Sequence, residues 1–407
     1  MISDLLPCGV RKALGVGFQL QSRMLGLATQ AVPELLDPRT YLRLTGDMAR
    51  RSADGVRAFA AGPGSVASGA LEVENKSEVF LLVQSVGLIL GVPCTFPLPL
   101  GELVERAYAL GSFPALWAVE GLGHDFAASY LASDRVPRRI LDDAATRDLP
   151  AQSLLMLHAG IGLAFAENRL EAIGWRAAYP EVRRAVAEVV ELCRANSRPG
   201  YLGAALESLG LETRLFFPQL VPAVDQALRE VASPATLDYF WHGAGRALYF
   251  FPSNFMPFSL GQAYAAARRE APDERARRNA SAGLTWAVTL VNQRQPRVMA
   301  DLVVGPHGDT LRADPGFTNG VASATIMRCE TTPGAPFVET FRGYRPRDAR
   351  TRALWDELIR APTAAALDVV DPILRDTDRL DEVFRYHDLA RLAAGLEDQE
   401  DAEAPCV

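Results

Sequence analysis

The chain has 407 residues, 49% of them hydrophobic and 22% charged, enough apolar material for one large globular domain or two to three average ones. A net charge of -7 leaves no broad basic footprint, which argues against a duplex nucleic-acid partner. Cys8, Cys94, Cys193, Cys329 and Cys406 form no C-x-x-C pair, so neither a zinc site nor a disulfide framework is expected, and the site residues are assigned no metal.

The start MISDLLPCGVRKALG lacks the basic-then-apolar order of a secretory leader. The longest greasy stretch, Val79 to Val92, is interrupted by Gln84 and Ser85 and followed by Pro93, too short to span a bilayer. No membrane span and a cytoplasmic location are the resulting expectations. Residues 18–61 have apolar positions three and four apart and predict helices that stop at Gly62-Pro63-Gly64. Residues 62–72, rich in glycine, alanine and serine, read as a loop closing an N-terminal helical segment, 1–72.

Residues 73–303 predict helix after helix, and the pattern repeats. Phe96-Pro97 matches Phe217-Pro218, and Ser112 matches Ser233. Glu120-Gly121-x-Gly123 matches His242-Gly243-x-Gly245, and HAGIGLAFA at 158–166 matches SAGLTWAVT at 281–289. The offset stays between 121 and 123 residues through these blocks. Repeats at about 85–195 and 207–300 predict a mainly α fold, an internally duplicated pseudo-twofold helical bundle rather than a solenoid. Glycine inside a helix costs about 1 kcal/mol against alanine, so these glycines predict close backbone approaches or room for a ligand.

The texture loosens after residue 300. MADLVVGPHGDTLRADPGFTNG is rich in turn residues, with a β-like DLVV, and the C-terminal region 304–394 is expected to be less regular. Amphipathic helices are predicted at about 347–361 and 377–394, and 395–407 reads as a disordered acidic tail.

No P-loop, G-x-S-x-G elbow or H-E-x-x-H motif is present, the two G-x-G pairs do not open into G-x-G-x-x-G, and no cofactor is called for. What carries chemistry is the set of ionisable residues beside the repeated glycines. Glu120, His124 and Asp125 share one apolar block, His158 opens the next with Glu167 after it, and His242 and Arg246 share a third. An ionisable group in an apolar segment is expensive unless paired. Each reads as an internal strut or as an acid or base; on the functional reading Glu120 and His242 meet in one cavity, with Arg246 holding an anionic group. Trp117, Trp241 and Tyr249, with Phe126, Phe250 and Phe251, read as core or as walls of a greasy pocket that Gly121 and Gly243 give room.

The blocks AVEGLGHDFA, LMLHAGIGLAFA and WHGAGRALYF resemble three marker motifs of the domain-of-unknown-function 1702 family, over about residues 10–300. The matching positions are Glu120, Gly121, His158, Gly160, Gly162, Gly243, Gly245 and Arg246. His124 and His242 depart from the family pattern, and the last hundred residues do not align with it. The resemblance implies a role beside bacterial polyketide clusters, including those for enediynes. With the apolar duplicated bundle it leads to one expectation: a cofactor-independent cyclase or isomerase (a lyase or isomerase in class) of natural-product biosynthesis. It would act on a small lipophilic polyketide or isoprenoid (terpenoid) molecule. Glu120 or Asp125 would be the acid, His158 or His242 the base, and a homodimer the one assembly considered. The alternative is a non-catalytic protein that binds a hydrophobic intermediate or docks on a synthase.

Overall fold

The computed structural model describes residues 63–84, 86–90, 98–132, 136–251 and 260–388. The helices expected over 18–61, the acidic tail, and Cys8, Cys94 and Cys406 lie outside these residues. The described residues are mainly helical and contain no strand, and none of their helices is long and apolar enough to cross a membrane.

Seven helices make the core: α1 (Pro63–Gln84), α3 (Ser112–Leu131), α4 (Ala151–Ile173), α6 (Leu202–Phe216), α8 (Pro234–Phe250), α10 (Glu274–Asn292) and α12 (Pro315–Thr331). Between them run α2 (Leu100–Ala109), α5 (Tyr179–Asn196), α7 (Val221–Val231), α9 (Leu260–Glu270) and α11 (Pro296–Val304). The core helices from α3 to α12 stack in chain order, each on the next, and α1 packs against both α3 and α10, so the row closes. A polar seam fixes α1: Asn75 donates to Asn292 at 3.1 Å, Arg294 pairs with Glu78 at 2.6 Å, and the ammonium of Lys76 lies 4.0 Å from the centre of the Tyr249 ring.

Glycine sets the spacing of the stack. A Cβ on Gly160 of α4 would sit 2.1 Å from the Glu120 carbonyl oxygen of α3, and one on Gly123 would sit 2.4 Å from Leu157 O. In the α8–α10 crossing, a Cβ on Gly283 would sit 1.9 Å from His242 O, and one on Gly245 1.9 Å from Ala280 O. Gly121 lies against the Val83 carbonyl of α1 as Gly243 lies against the Glu207 carbonyl of α6. These are backbone-to-backbone contacts, so any side chain would force helices apart.

The C-terminal region differs from expectation. DLVV is the end of α11: Pro296 stands at the first turn with its fixed φ, and Val298, Met299 and Val303 are buried while Leu302 and Val304 are half-buried. Helical burial overrides the β preference of the two valines. Residues 63–72, read as a loop, are the first turns of α1, where Pro63 leads and Glu72 pairs with Lys76 one turn on. The boundaries expected at 72/73 and 303/304 therefore fall inside α1 and α11. Helix runs from Ala349 to Asp376 without the expected stop at 361. Pro362 and Pro372 sit inside it, and the stretches just before each, Asp356–Arg360 and Ala366–Val370, widen to π geometry. A proline clashes with the carbonyl four residues back, and a wider turn relieves that clash. The helix expected over 377–394 is instead a short 3₁₀ turn, Leu380–Phe384, that lies on α6, α8 and α12; residues 389–394 lie outside the described ones.

Gly245→Ala is expected to destabilise the fold by roughly 1–3 kcal/mol through overpacking. Gly101→Ala, where an added Cβ meets nothing within 4 Å, should be neutral or slightly stabilising. Thermal melting followed by circular dichroism checks both; an unchanged Tm for Gly245→Ala would refute the close-approach argument.

Candidate functional site

Where α3, α6 and α8 face one another they bury a chain of four ionisable side chains. Arg246, one turn beyond His242 on α8, donates from Nη2 to Glu120 Oε1 of α3 and from Nη1 to Glu207 Oε2 of α6, the latter at 3.1 Å. His242 Nδ1 lies 3.2 Å from Glu207 Oε1. Side-chain exposure is 0% for Glu120, Glu207 and His242 and 3% for Arg246. The guanidinium also lies 5.2 Å from the centre of the Trp286 ring, and His242 meets Trp286 and Phe384 edge to face. Among the described residues, Glu120 Oε2 and His242 Nε2 have no hydrogen-bond partner.

Two carboxylates and one guanidinium leave one negative charge too many for an apolar interior, so one added proton makes the set neutral. Two groups compete for it. Burial pushes the Glu120 carboxyl above its ordinary pKa; Arg246 opposes the shift and Glu207 reinforces it. Burial pushes the His242 imidazole below its ordinary pKa, against the pull of Glu207. Both directions favour a proton on Glu120 over one on His242, and a neutral His242 can donate from Nδ1 to Glu207.

Two of these four side chains, Glu120 and Arg246, line a partly open cavity of about 190 Å³. Its walls are apolar, among them Val79, Phe80, Leu163, Leu215, Phe216 and Phe250. Its lining also includes the partly exposed His124, Asp125 and Glu167, and the buried Glu212. His124 Nε2 lies 2.6 Å from Glu167 Oε2 and Nδ1 lies 3.3 Å from Asp125 Oδ1. Burial works against a charge on His124, but these two carboxylates outweigh it and lift its pKa to about 10, so it is an imidazolium at neutral pH. Among the described residues no group of three or more His, Cys, Asp and Glu is arranged to hold a metal ion.

Of the predicted site residues, the structure brings Glu120, His124, Asp125 and Arg246 to the cavity, with Phe250. Glu120 and His242 do not pair with each other, because Glu207 and Arg246 stand between them. His158 lies elsewhere: Nδ1 donates to Leu154 O at 2.7 Å, Nε2 accepts from the Arg198 amide at 3.1 Å, and Tyr201 stacks on the ring. Burial lowers its pKa to about 4, and both nitrogens are satisfied, so it is a neutral strut and no base. Trp117, Trp241 and Tyr249 are core residues outside the cavity wall; Trp241 Nε1 donates to Asp225 at 2.8 Å, and Tyr249 accepts from Asn292 at 2.8 Å. Gly121 and Gly243 serve helix contact and do not face the cavity. Sequence reasoning missed Glu207. Its signal was the same as that of Glu120, a carboxylate in an apolar run, LGAALESLG. Comparison with protein families, with curated proteins and with solved structures yields no match.

The charge assignment predicts how stability depends on pH. A carboxyl whose folded pKa is raised contributes most below its unfolded value, 4.5, and the contribution is lost as pH rises through the folded value. Glu120→Gln mimics the protonated acid and should remove that loss. The variant is expected to match wild-type Tm near pH 5 and to exceed it progressively toward pH 9. A uniform Tm deficit across that range would show Glu120 to be ionised throughout.

Proposed function

We propose that this chain is a cofactor-independent isomerase or cyclase of natural-product biosynthesis, acting on a lipophilic polyketide or isoprenoid intermediate, with Glu120 as its general acid. One observation carries the reading: a buried carboxyl, favoured in its protonated form and with one oxygen lacking a hydrogen-bond partner among the described residues, belongs to the lining of an apolar-walled cavity. A neutral carboxylic acid in such a place holds a transferable proton at neutral pH. When Glu120 gives up its proton, the carboxylate formed is already paired with Arg246, so the donor's conjugate base needs no rearrangement to be stabilised. The same carboxylate can take a proton back from a neighbouring carbon, and the reaction closes as an isomerisation with no net proton consumed.

The duplication belongs to this reading. It is supported by three pairs of glycine contacts at matching offsets: Gly121 with Gly243, Gly123 with Gly245, and Gly160 with Gly283. In it α1, α3 and α4 correspond to α6, α8 and α10, a screw-like continuation rather than two separate bundles. The site lies where the first half meets the second, drawing Glu120 from one and Glu207, His242 and Arg246 from the other.

A strain lacking the gene, complemented with wild type or with Glu120→Gln and compared by untargeted metabolite profiling, tests the assignment. General acid help contributes typically 10²–10⁴-fold, so the variant should accumulate the precursor while the purified protein stays folded. Unchanged product from the folded variant would defeat the catalytic reading and favour the alternative, a non-catalytic protein that binds a hydrophobic intermediate.

A further inference from the structure

Residues 371–388 are tied to the core at two points, each built on carboxyls. At the first, Arg375 pairs with Asp371 on its own helix at 3.2 Å and with Glu330 in the last turn of α12. Glu330 and Asp371 are also hydrogen-bonded to each other. Ionised carboxylates only accept, so a hydrogen bond between two carboxyls needs a proton on one of them. At the second point, Asp381 Oδ2 accepts from the Gly203 amide in the first turn of α6 at 2.8 Å, and the Asp381 amide donates to Gly200 O at 3.1 Å. Glu330, Arg375, Tyr201 and Leu380 line a partly open cavity of about 250 Å³ at this junction, so there is space for water between the segment and the core.

Both ties favour a proton. Burial and the Asp371 charge push Glu330 up to about 7, against the pull of Arg375. Burial, with Glu382, pushes Asp381 up to about 6, against the Gly203 amide and Arg385. Among the described residues, the other charged groups near the first tie are Glu339 and Arg342, around Cys329, and Arg198 and Asp378, around Tyr201. Near the second, Arg385 pairs with Glu382 and with Asp238 of α8, His387 pairs with Glu382, and Arg275 of α10 pairs with Asp238. Burial opposes ionisation of Glu382, but hydrogen bonds from His387 and Arg385 outweigh it and hold its carboxyl below the usual range, so it stays ionised throughout.

The segment reaches the buried chain at the end away from Glu120. Phe384 is fully buried, its ring centre 6.2 Å from that of His242 and 5.5 Å from that of Trp286. We propose that residues 371–388 are a proton-operated latch: protonated, it holds Phe384 over His242, and deprotonated, it loosens and admits water to the His242–Glu207 end of the chain. No reaction at Glu120 is needed for this, so the latch stands or falls separately from the proposed activity. The contribution of each acid to the closed state is full below its ordinary value, 4.5 for Glu330 and 3.8 for Asp381, and is lost as pH rises through about 7 and about 6. The latch is therefore shut in mild acid and loose above neutral pH.

Hydrogen exchange of the full chain, read by mass spectrometry at pH 5.5 and pH 8 and corrected for the intrinsic rate, tests it. Opening of peptides within 371–388, relative to those of α8 and α10, should become about tenfold or more frequent at pH 8. Glu330→Gln keeps a donor for Asp371 and an acceptor for Arg375 without a titrating proton, and should hold the segment shut at pH 8. If that variant does not fold, Asp381→Asn serves, and should remove the part of the change that falls around pH 6. The fluorine resonance of 5-fluorotryptophan at Trp286 should shift with the same midpoint as the opening. Equal protection of the segment at both pH values, or loosening as large in the folded variant as in wild type, would overturn the latch. A Trp286 resonance that stays fixed while the segment loosens would overturn its link to His242.

Discussion

The structure turns on one arginine shared by two carboxylates. Arg246 spends its guanidinium on Glu120 of α3 and Glu207 of α6, and so ties three core helices together at a point from which water is excluded. Leaving any one partner of such a group alone in the interior is strongly destabilising, of order 3–5 kcal/mol. The group is nevertheless one cation short. Burial and the second carboxylate together favour a proton on Glu120, while Arg246 opposes it.

The glycines make this geometry possible. Gly121 and Gly123 directly follow Glu120, and Gly243 and Gly245 follow His242 and precede Arg246. Each lets a neighbouring backbone approach to contact. At that spacing, side chains in the interior of the stack reach across α6 from α8 to α3 rather than only to the nearest helix. The glycines thus hold the frame, and do not make room for a ligand as their sequence position first suggests. Room arises elsewhere on the same helices, where Phe80, Leu163, Leu215, Phe216 and Phe250 line the cavity.

How much of this was legible in the sequence follows from what kind of signal each feature leaves. The helical class came from apolar spacing, and the close crossings from glycines embedded in apolar helices. Glu120, Arg246 and His242 stood out because charge in an apolar run demands a partner. The choice of partner left no trace, because pairing is decided by which helices cross: Glu207 lies 35 residues before His242 and Glu120 lies 126 before Arg246. The tryptophans misled for a related reason. A large aromatic looks the same in a core as in a pocket wall, and only packing separates them. Helix α11 misled because valine-rich local preference yields to burial, and the final helix because its prolines are absorbed by π turns instead of ending it.

The contrast between His158 and His124 shows why residue type alone does not assign a role. Both lie on core helices, both in glycine-bearing blocks. His158 has a carbonyl and an amide as partners, both neutral, so burial decides and the ring stays uncharged. His124 lines the cavity between two carboxylates, and those outweigh burial, so the ring stays charged. His242 falls between the two: it has a carboxylate partner, but Glu207 is already engaged by Arg246, and burial prevails. A carboxylate raises a histidine's pKa only to the extent that no stronger cation has claimed it. By that rule the three histidines order themselves, and burial favours the proton on Glu120, which lines the cavity, over one on His242.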